Sequence, residues 1–221
     1  IVSMTELTAS VDQIVVTAKD VHLNFIAPRV SGQLAVVAPA SSVLRVVPTL
    51  VLPGDVRLQL ELKPGEHIIA AIKASVGSES MSGEATIDPD AMRLRGEFRT
   101  TDLNAQALLQ STPPTAITAT MKVDLGLDDA LEGARAIVGN VKIDGTGRYG
   151  EGYVNEASLD LEVEIAKGSA DVVLAASAPG DTKARFEGVI DFDDAEVLRL
   201  TKGRLVASTA QIDRAYVGLP Q

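Results

Sequence analysis

The sequence predicts a mainly β protein: one long antiparallel sheet curved into a trough, or β-taco, with two or three short helices at its margins. Three observations carry this. Apolar and polar residues alternate with a period of two over long runs, as in Val56–Lys63, where Val56, Leu58, Leu60 and Leu62 oppose Arg57, Gln59, Glu61 and Lys63. The runs are separated by short turn signals, which join antiparallel neighbours in a meander. Glycines recur inside the runs, each followed two residues later by an apolar residue, as in Gly32/Leu34, Gly83/Ala85/Ile87, Gly96/Phe98, Gly139/Val141/Ile143, Gly188/Ile190/Phe192 and Gly203/Leu205. Glycine in a strand marks a bulge or bend, so its repetition predicts steady curvature. A closed β-sandwich is the alternative, because alternation alone does not say whether the apolar face is covered.

In chain order, the predicted strands begin with Val11–Ala18, Val21–Ile26, Gly32–Val37 and Leu44–Val47, each rich in Val, Ile or Leu. Val56–Lys63 follows, then Pro64-Gly65 as a turn, then Ile68–Val76, Ser80–Ile87 and, past Asp88-Pro89-Asp90, Met92–Thr100. Asp102–Gln110 reads as a short helix capped by Thr101 or Asp102 and stopped before Pro113-Pro114. Ile117–Leu127 places Ile117, Ala119, Met121, Val123, Leu125 and Leu127 on one side; Asp128–Ala136 is a second helix candidate before the strand Ile137–Ile143. Ala157–Ala166 sets Leu159, Leu161, Val163 and Ile165 against Ser158, Asp160, Glu162 and Glu164. After Lys167-Gly168-Ser169 and Pro179-Gly180-Asp181 come the strands Ala170–Ala178 and Lys183–Phe192; Asp194–Leu200 is a third helical turn, and Gly203–Ser208 the last strand. The 221 residues suffice for one elongated β domain over 1–221, divisible into a Val- and Pro-rich part, 1–53, and a more regular part, 54–221.

Composition narrows the function. The net charge is −10 and the basic residues are interleaved with acids, so a nucleic-acid partner is not expected and an anionic membrane surface would repel the domain. With no cysteine there is no disulfide, thiolate zinc site or Cys nucleophile. No apolar run approaches the ~20 residues of a membrane-spanning helix; the longest, around Val43–Leu52, is interrupted by Arg45 and Pro48. The first residue is Ile1, with no initiator Met and no signal peptide ahead of it, which reads as an excised or processed piece. Aromatics are only 3%, so the apolar face is built from Leu, Val, Ile and Ala, a lining of modest side chains.

No catalytic, metal or cofactor site is nominated. Gly145-Thr146-Gly147-Arg148-Tyr149-Gly150 matches G-x-G-x-x-G, but it leads into Glu151-Gly152-Tyr153 and another strand, not the helix a dinucleotide site requires. His22 and His67 stand alone, without ligand-spaced neighbours. Asp191-Phe192-Asp193-Asp194-Ala195-Glu196 concentrates carboxylates without the glycine and spacing of a calcium loop. The expectation is a protein that is not an enzyme.

Three stretches carry a family resemblance: Thr101-Asp102-Leu103-Asn104-Ala105-Gln106-Ala107-Leu108-Leu109, after a strand containing Gly96; Gly139 through Tyr149; and Gly188-Val189-Ile190-Asp191-Phe192 with Gly203-Arg204-Leu205. Together, over roughly Met92 to Ser208, they resemble the AsmA-like family of the bacterial envelope, which includes TamB and related bridge-like lipid transfer proteins. The segment 1–53 does not share these motifs. The resemblance implies a long trough whose inner face holds phospholipid acyl chains between the inner and outer membranes, a periplasmic or envelope location, and membrane anchoring and partner proteins of either membrane through flanking regions. It implies no cofactor and no catalytic residues.

The lining expected to meet lipid is Leu58, Leu60, Leu62, Ile117, Met121, Val123, Leu125, Leu159, Leu161, Val163, Ile165, Val172, Leu174, Phe186, Ile190 and Phe192. Burying hydrocarbon there is worth about 0.8 kcal/mol per methylene. The competing reading is a structural or adhesive β-sandwich of a cell-surface protein, in which the same residues form a dry core. A carbohydrate-active or calcium-binding β domain is the third.

Overall fold

The computed structural model describes residues 2–208 except 12, 25–28, 47–50, 66, 109–112, 129–130, 132, 154 and 193–198. Thirteen strands follow one another: β1 (Val2–Val11), β2 (Ile14–Asn24), β3 (Arg29–Ala38), β4 (Val56–Lys63), β5 (Ile68–Val76), β6 (Glu79–Asp88), β7 (Arg93–Leu103), β8 (Thr115–Leu127), β9 (Ile137–Tyr149), β10 (Asn155–Ala166), β11 (Ser169–Ala178), β12 (Thr182–Asp191) and β13 (Arg199–Ser208). They form a single antiparallel sheet in sequence order, β1 to β13, that does not close on itself. The curved-sheet expectation is therefore met, and the closed sandwich is not what forms. The ladder also runs without a break from β3 into β4, across the boundary near residue 53.

The alternating runs become strands because every second residue can then leave water. In β4, burial alternates strictly from Val56 to Lys63, the Val and Leu positions half-buried and the others exposed. The turns at Pro64-Gly65, Asp88–Asp90, Lys167-Gly168 and Pro179–Asp181 lie where the sequence places them.

Other local expectations are corrected. The predicted strands Val11–Ala18 and Val21–Ile26 are divided differently. Val11 ends β1, the chain turns at Gln13 with φ 68°, and β2 runs through to Asn24, kinked at Asp20 (φ 49°) where its register against β3 shifts. Ile26 lies outside the described residues. Leu44–Val46 of the predicted strand Leu44–Val47 is helical instead, and Val47 lies outside the described residues: Ala40–Val46 is the helix α1, its first turn formed by Ser42 and Val43 N–H groups on the Pro39 carbonyl (2.9 and 3.3 Å). Ala38 pairs directly with Val56, so α1 stands outside the ladder and takes up local hydrogen bonds instead. Of the predicted helix Asp102–Gln110, the described part, 102–108, is not an α-helix, and Leu109 and Gln110 lie outside the described residues. β7 continues to Leu103, which pairs with Ile117 after a bulge at which Asp102 has φ 53°. Only a 3-10 turn, Ala105–Ala107, follows, and its cap is Asn104, whose Oδ1 accepts the Gln106 N–H at 3.2 Å. Within Asp128–Ala136 the described residues contain the 3-10 turn Gly133–Ala136, and 129–130 and 132 lie outside them. Of Asp194–Leu200, Arg199 and Leu200 belong to β13 and the rest lies outside the described residues.

Two glycines show how the sheet bends. Gly139 has φ +139°, a conformation L side chains avoid, and a Cβ there would sit 2.0 Å from the Asp124 carbonyl oxygen. At Gly83 a Cβ would lie 2.1 Å from the Glu97 oxygen and 2.6 Å from the Phe98 ring. The Phe98 ring thus lies over its cross-strand partner Gly83, whereas the Phe186 ring covers Gly188, two residues along its own strand.

Candidate functional site

The register puts the apolar residues in straight rows across the sheet. One row takes a residue from every strand: Leu7, Ala18, Leu34, Leu60, Ile72, Gly83, Phe98, Met121, Ile143, Leu161, Leu174, Phe186 and Leu205. A second row beside it runs from Ala9 through Leu58, Ala119, Leu159 and Ala176 to Ala207. Two further rows on the other side contain Leu62, Val123, Val163 and Val172, and Ile87, Leu125, Ile165 and Ile190. None of the four rows contains a charge; their one polar side chain is Thr100. The adjacent row on the opposite face, from Glu6 and Lys19 through Glu97, Lys122 and Glu162 to Arg204, is dominated by ions.

All of the expected lining residues except Ile117 and Phe192 lie in these four rows. Ile117 is on the same face one step further out, paired with Gly147. Phe192 follows the end of β12, its N–H donating to the Gly168 carbonyl at 2.8 Å. The sequence reading passed over Leu7, Leu34, Ile72, Phe98, Ile143 and Leu205. Leu34, Phe98, Ile143 and Leu205 stand in the glycine beats, whereas Leu7 lies in β1, which the sequence pattern does not mark as a strand.

No described element lies over the face. Among the described residues no large side chain is fully buried, and the tightest cluster is Ala70, Ala85 and Phe98, with Leu60, Ile72, Met81 and Met121 packed round it. Leu159, in the middle of the face, is 42% exposed, and Leu205, at its end, is 70% exposed. A second layer packed ~10 Å away would have buried them.

Between β8 and β12 this face is hollowed into a groove of about 420 Å³ with almost wholly apolar walls. Its floor runs Ala119, Gly145, Leu159, Ala176 and Ala184 in one row and Ile117, Gly147 and Ala157 in the next, small residues flanking Leu159. The row through Ile143 and Leu161 bounds one side. The rim is made by Pro113, Thr115 and Tyr149. Thr115 is buried and fixed, its hydroxyl accepting the Ala105 N–H at 2.6 Å and donating to the Leu103 carbonyl. Asn104 reinforces that rim: its Oδ1 also accepts the Thr115 N–H, and its own N–H donates to Glu79 Oε2 at 2.7 Å. Leu108 accepts the Val51 N–H and Pro114 the Gly150 N–H, so successive connections at this end of the sheet are tied together.

On the polar face a depression of about 900 Å³ spans β2–β7, lined by residues such as Gln33, Gln59, Glu61 and Lys73. Its charges include the Lys19–Glu6 and Arg99–Glu97 pairs. Asp124 takes both Arg93 and Arg95, and the hydrogen bond from Arg93 holds its carboxyl below the usual carboxylate range. Asp88 is lowered too, first by the Ala91 N–H it accepts, with His67 3.7 Å away contributing. His22 Nδ1 is 3.0 Å from the Ser3 hydroxyl. Both histidines sit within strand-end contacts. Gly145 to Tyr149 lies within β9, so the glycine-rich motif is strand, as its context indicated. No group of metal-ligating residues occurs among the described residues, and the carboxylate run 193–196 lies outside them. No described helix is long and apolar enough to cross a membrane.

No family model, no curated protein and no solved structure matches this chain.

Proposed function

We propose that this chain is a non-enzymatic lipid-binding segment of a protein that conducts phospholipid between inner and outer membranes, in the manner the AsmA-like resemblance implies. The observation that carries the reading is the uncharged apolar face, continuous over thirteen strands and left open to solvent. An exposed apolar surface of this extent marks a binding surface. Every strand of the ladder satisfies its neighbour's backbone, so the groove offers acyl chains an apolar wall without unpaired N–H or C=O groups along its length. Headgroups remain in water. The adhesive-sandwich alternative requires a second layer over this face, and the described residues form one sheet.

The test is photocrosslinking from neighbouring positions that differ only in the face they occupy. A benzophenone amino acid replaces Leu161 or Val163 on the apolar face, or Glu162 on the polar face, and the purified protein is incubated with phosphatidylcholine vesicles. Lipid adducts are expected from 161 and 163 and not from 162. Equal labelling from both faces, or none from either, overturns the proposal.

A further inference from the structure

Resting on that reading, we propose that the apolar groove of β8–β12 is a discrete seat for one extended acyl chain, lying across the strands with its ester end at Tyr149. Here Ala119, Gly145, Ala176 and Ala184, with Leu159 between Gly145 and Ala176, line a depression of about 420 Å³ whose walls are almost wholly apolar. Four interstrand spacings make it ~19 Å long. A peptide strand laid against apolar side chains would leave its own N–H and C=O groups unpaired. A hydrocarbon chain is narrow enough and has no polar groups to satisfy.

The rim supplies the polar end. Tyr149 is the last residue of β9, on the apolar face and half-buried, and it pairs with Thr115 on one side and Asn155 on the other. Its hydroxyl makes no hydrogen bond with a described residue. It is therefore available to donate to an ester carbonyl, the arrangement in which tyrosine serves a boundary between oil and water. Thr115 cannot do this, since its hydroxyl is engaged by Ala105 and Leu103.

The experiment compares the full chain with Ala176→Phe, which fills the floor, Tyr149→Phe, which removes the donor, and Ala74→Phe. The last enlarges a residue of the same row in β5, outside the groove. Each is incubated with dioleoyl phosphatidylcholine vesicles and the bound lipid is measured by native mass spectrometry. Ala176→Phe is expected to lower binding more than tenfold and Tyr149→Phe about two- to tenfold, the range of one net hydrogen bond. Ala74→Phe should stay within twofold. As a measurement independent of variant folding, a diazirine-tailed phosphatidylcholine should label unaltered protein within β8–β12. Lipid binding that survives Ala176→Phe, falls equally with Ala74→Phe, or labels β4–β6 as strongly overturns the seat while leaving the wider reading standing. An unaltered chain that takes no lipid overturns both.

Discussion

Replacing Leu161 measures whether the apolar face is open. Leu161 is half-buried in the central row, beside Ile143 and Leu174, with Leu159 and Val163 next to it on its own strand. Full burial of a leucine is worth about 1.5–3 kcal/mol. Half that value, with no layer above to leave a cavity, sets the cost of Leu161→Ala at about 1 kcal/mol, against ~2–5 kcal/mol in a sealed core. Leu161→Arg should cost a similar ~1 kcal/mol, because the methylene stem can lie along the face while the guanidinium reaches water. A buried unpaired cation would instead unfold the domain. Urea denaturation followed by circular dichroism, with wild-type slope as the control for unchanged exposed area, gives both numbers. A loss above ~3 kcal/mol for either variant, or an insoluble Arg variant, refutes the open-face argument.

Gly83→Ala should cost more than Leu161→Ala although it adds a methyl, because the new Cβ meets the Glu97 carbonyl at 2.1 Å and backbone cannot step aside; a thermal melt unchanged within a degree would contradict this. Asn104→Ala removes the acceptor for two N–H groups and should destabilise the chain by about 1 kcal/mol, with faster amide exchange at Gln106 and Thr115 as the local readout. Asp88, Asp124 and Glu187 have carboxyls lowered in the folded sheet, so the unfolded chain binds more protons. Their contribution is complete above the unfolded-state range near pH 4 and is lost as pH falls through the folded values. Stability from this source should therefore be level from about pH 7 to 5 and decline below about 4, less steeply in Asp124→Asn. Every described residue of β13 is exposed, so hydrogen exchange should be fastest in β13 and slowest in β6–β8, around the Phe98 cluster; uniform exchange along the sheet would show that it unfolds as one unit.

Much of this architecture was legible because alternation is a local signal that does not need a partner to be known. Val56–Lys63 and Ala157–Ala166 show their two faces to any reader, and the Pro-Gly and Lys-Gly turns mark where the chain reverses. The misreadings occur where a distant strand decides. Leu103 has helix-compatible neighbours, yet its pairing with Ile117 keeps it extended. Leu44 and Val46 have strand-like composition, yet the direct pairing of Ala38 with Val56 leaves no place for them in the sheet. β1 alternates weakly, with Thr and Ser on one side and only Leu7 and Ala9 standing in the rows on the other, so nothing local distinguished it from a tail.

The candidate site divides in the same way. That Leu161, Val163 and Ile165 share a face follows from the period of a strand alone. That Ala119, Gly145, Leu159, Ala176 and Ala184, drawn from five strands, line up as one floor follows only from the register of those strands, which no single run encodes. By itself the chain determined its strands, its two faces and the absence of charge on one of them. Whether that face would be capped by a second layer or left open was decided by tertiary structure, since covering depends on where the far ends of the meander come to lie and not on the pattern within any strand.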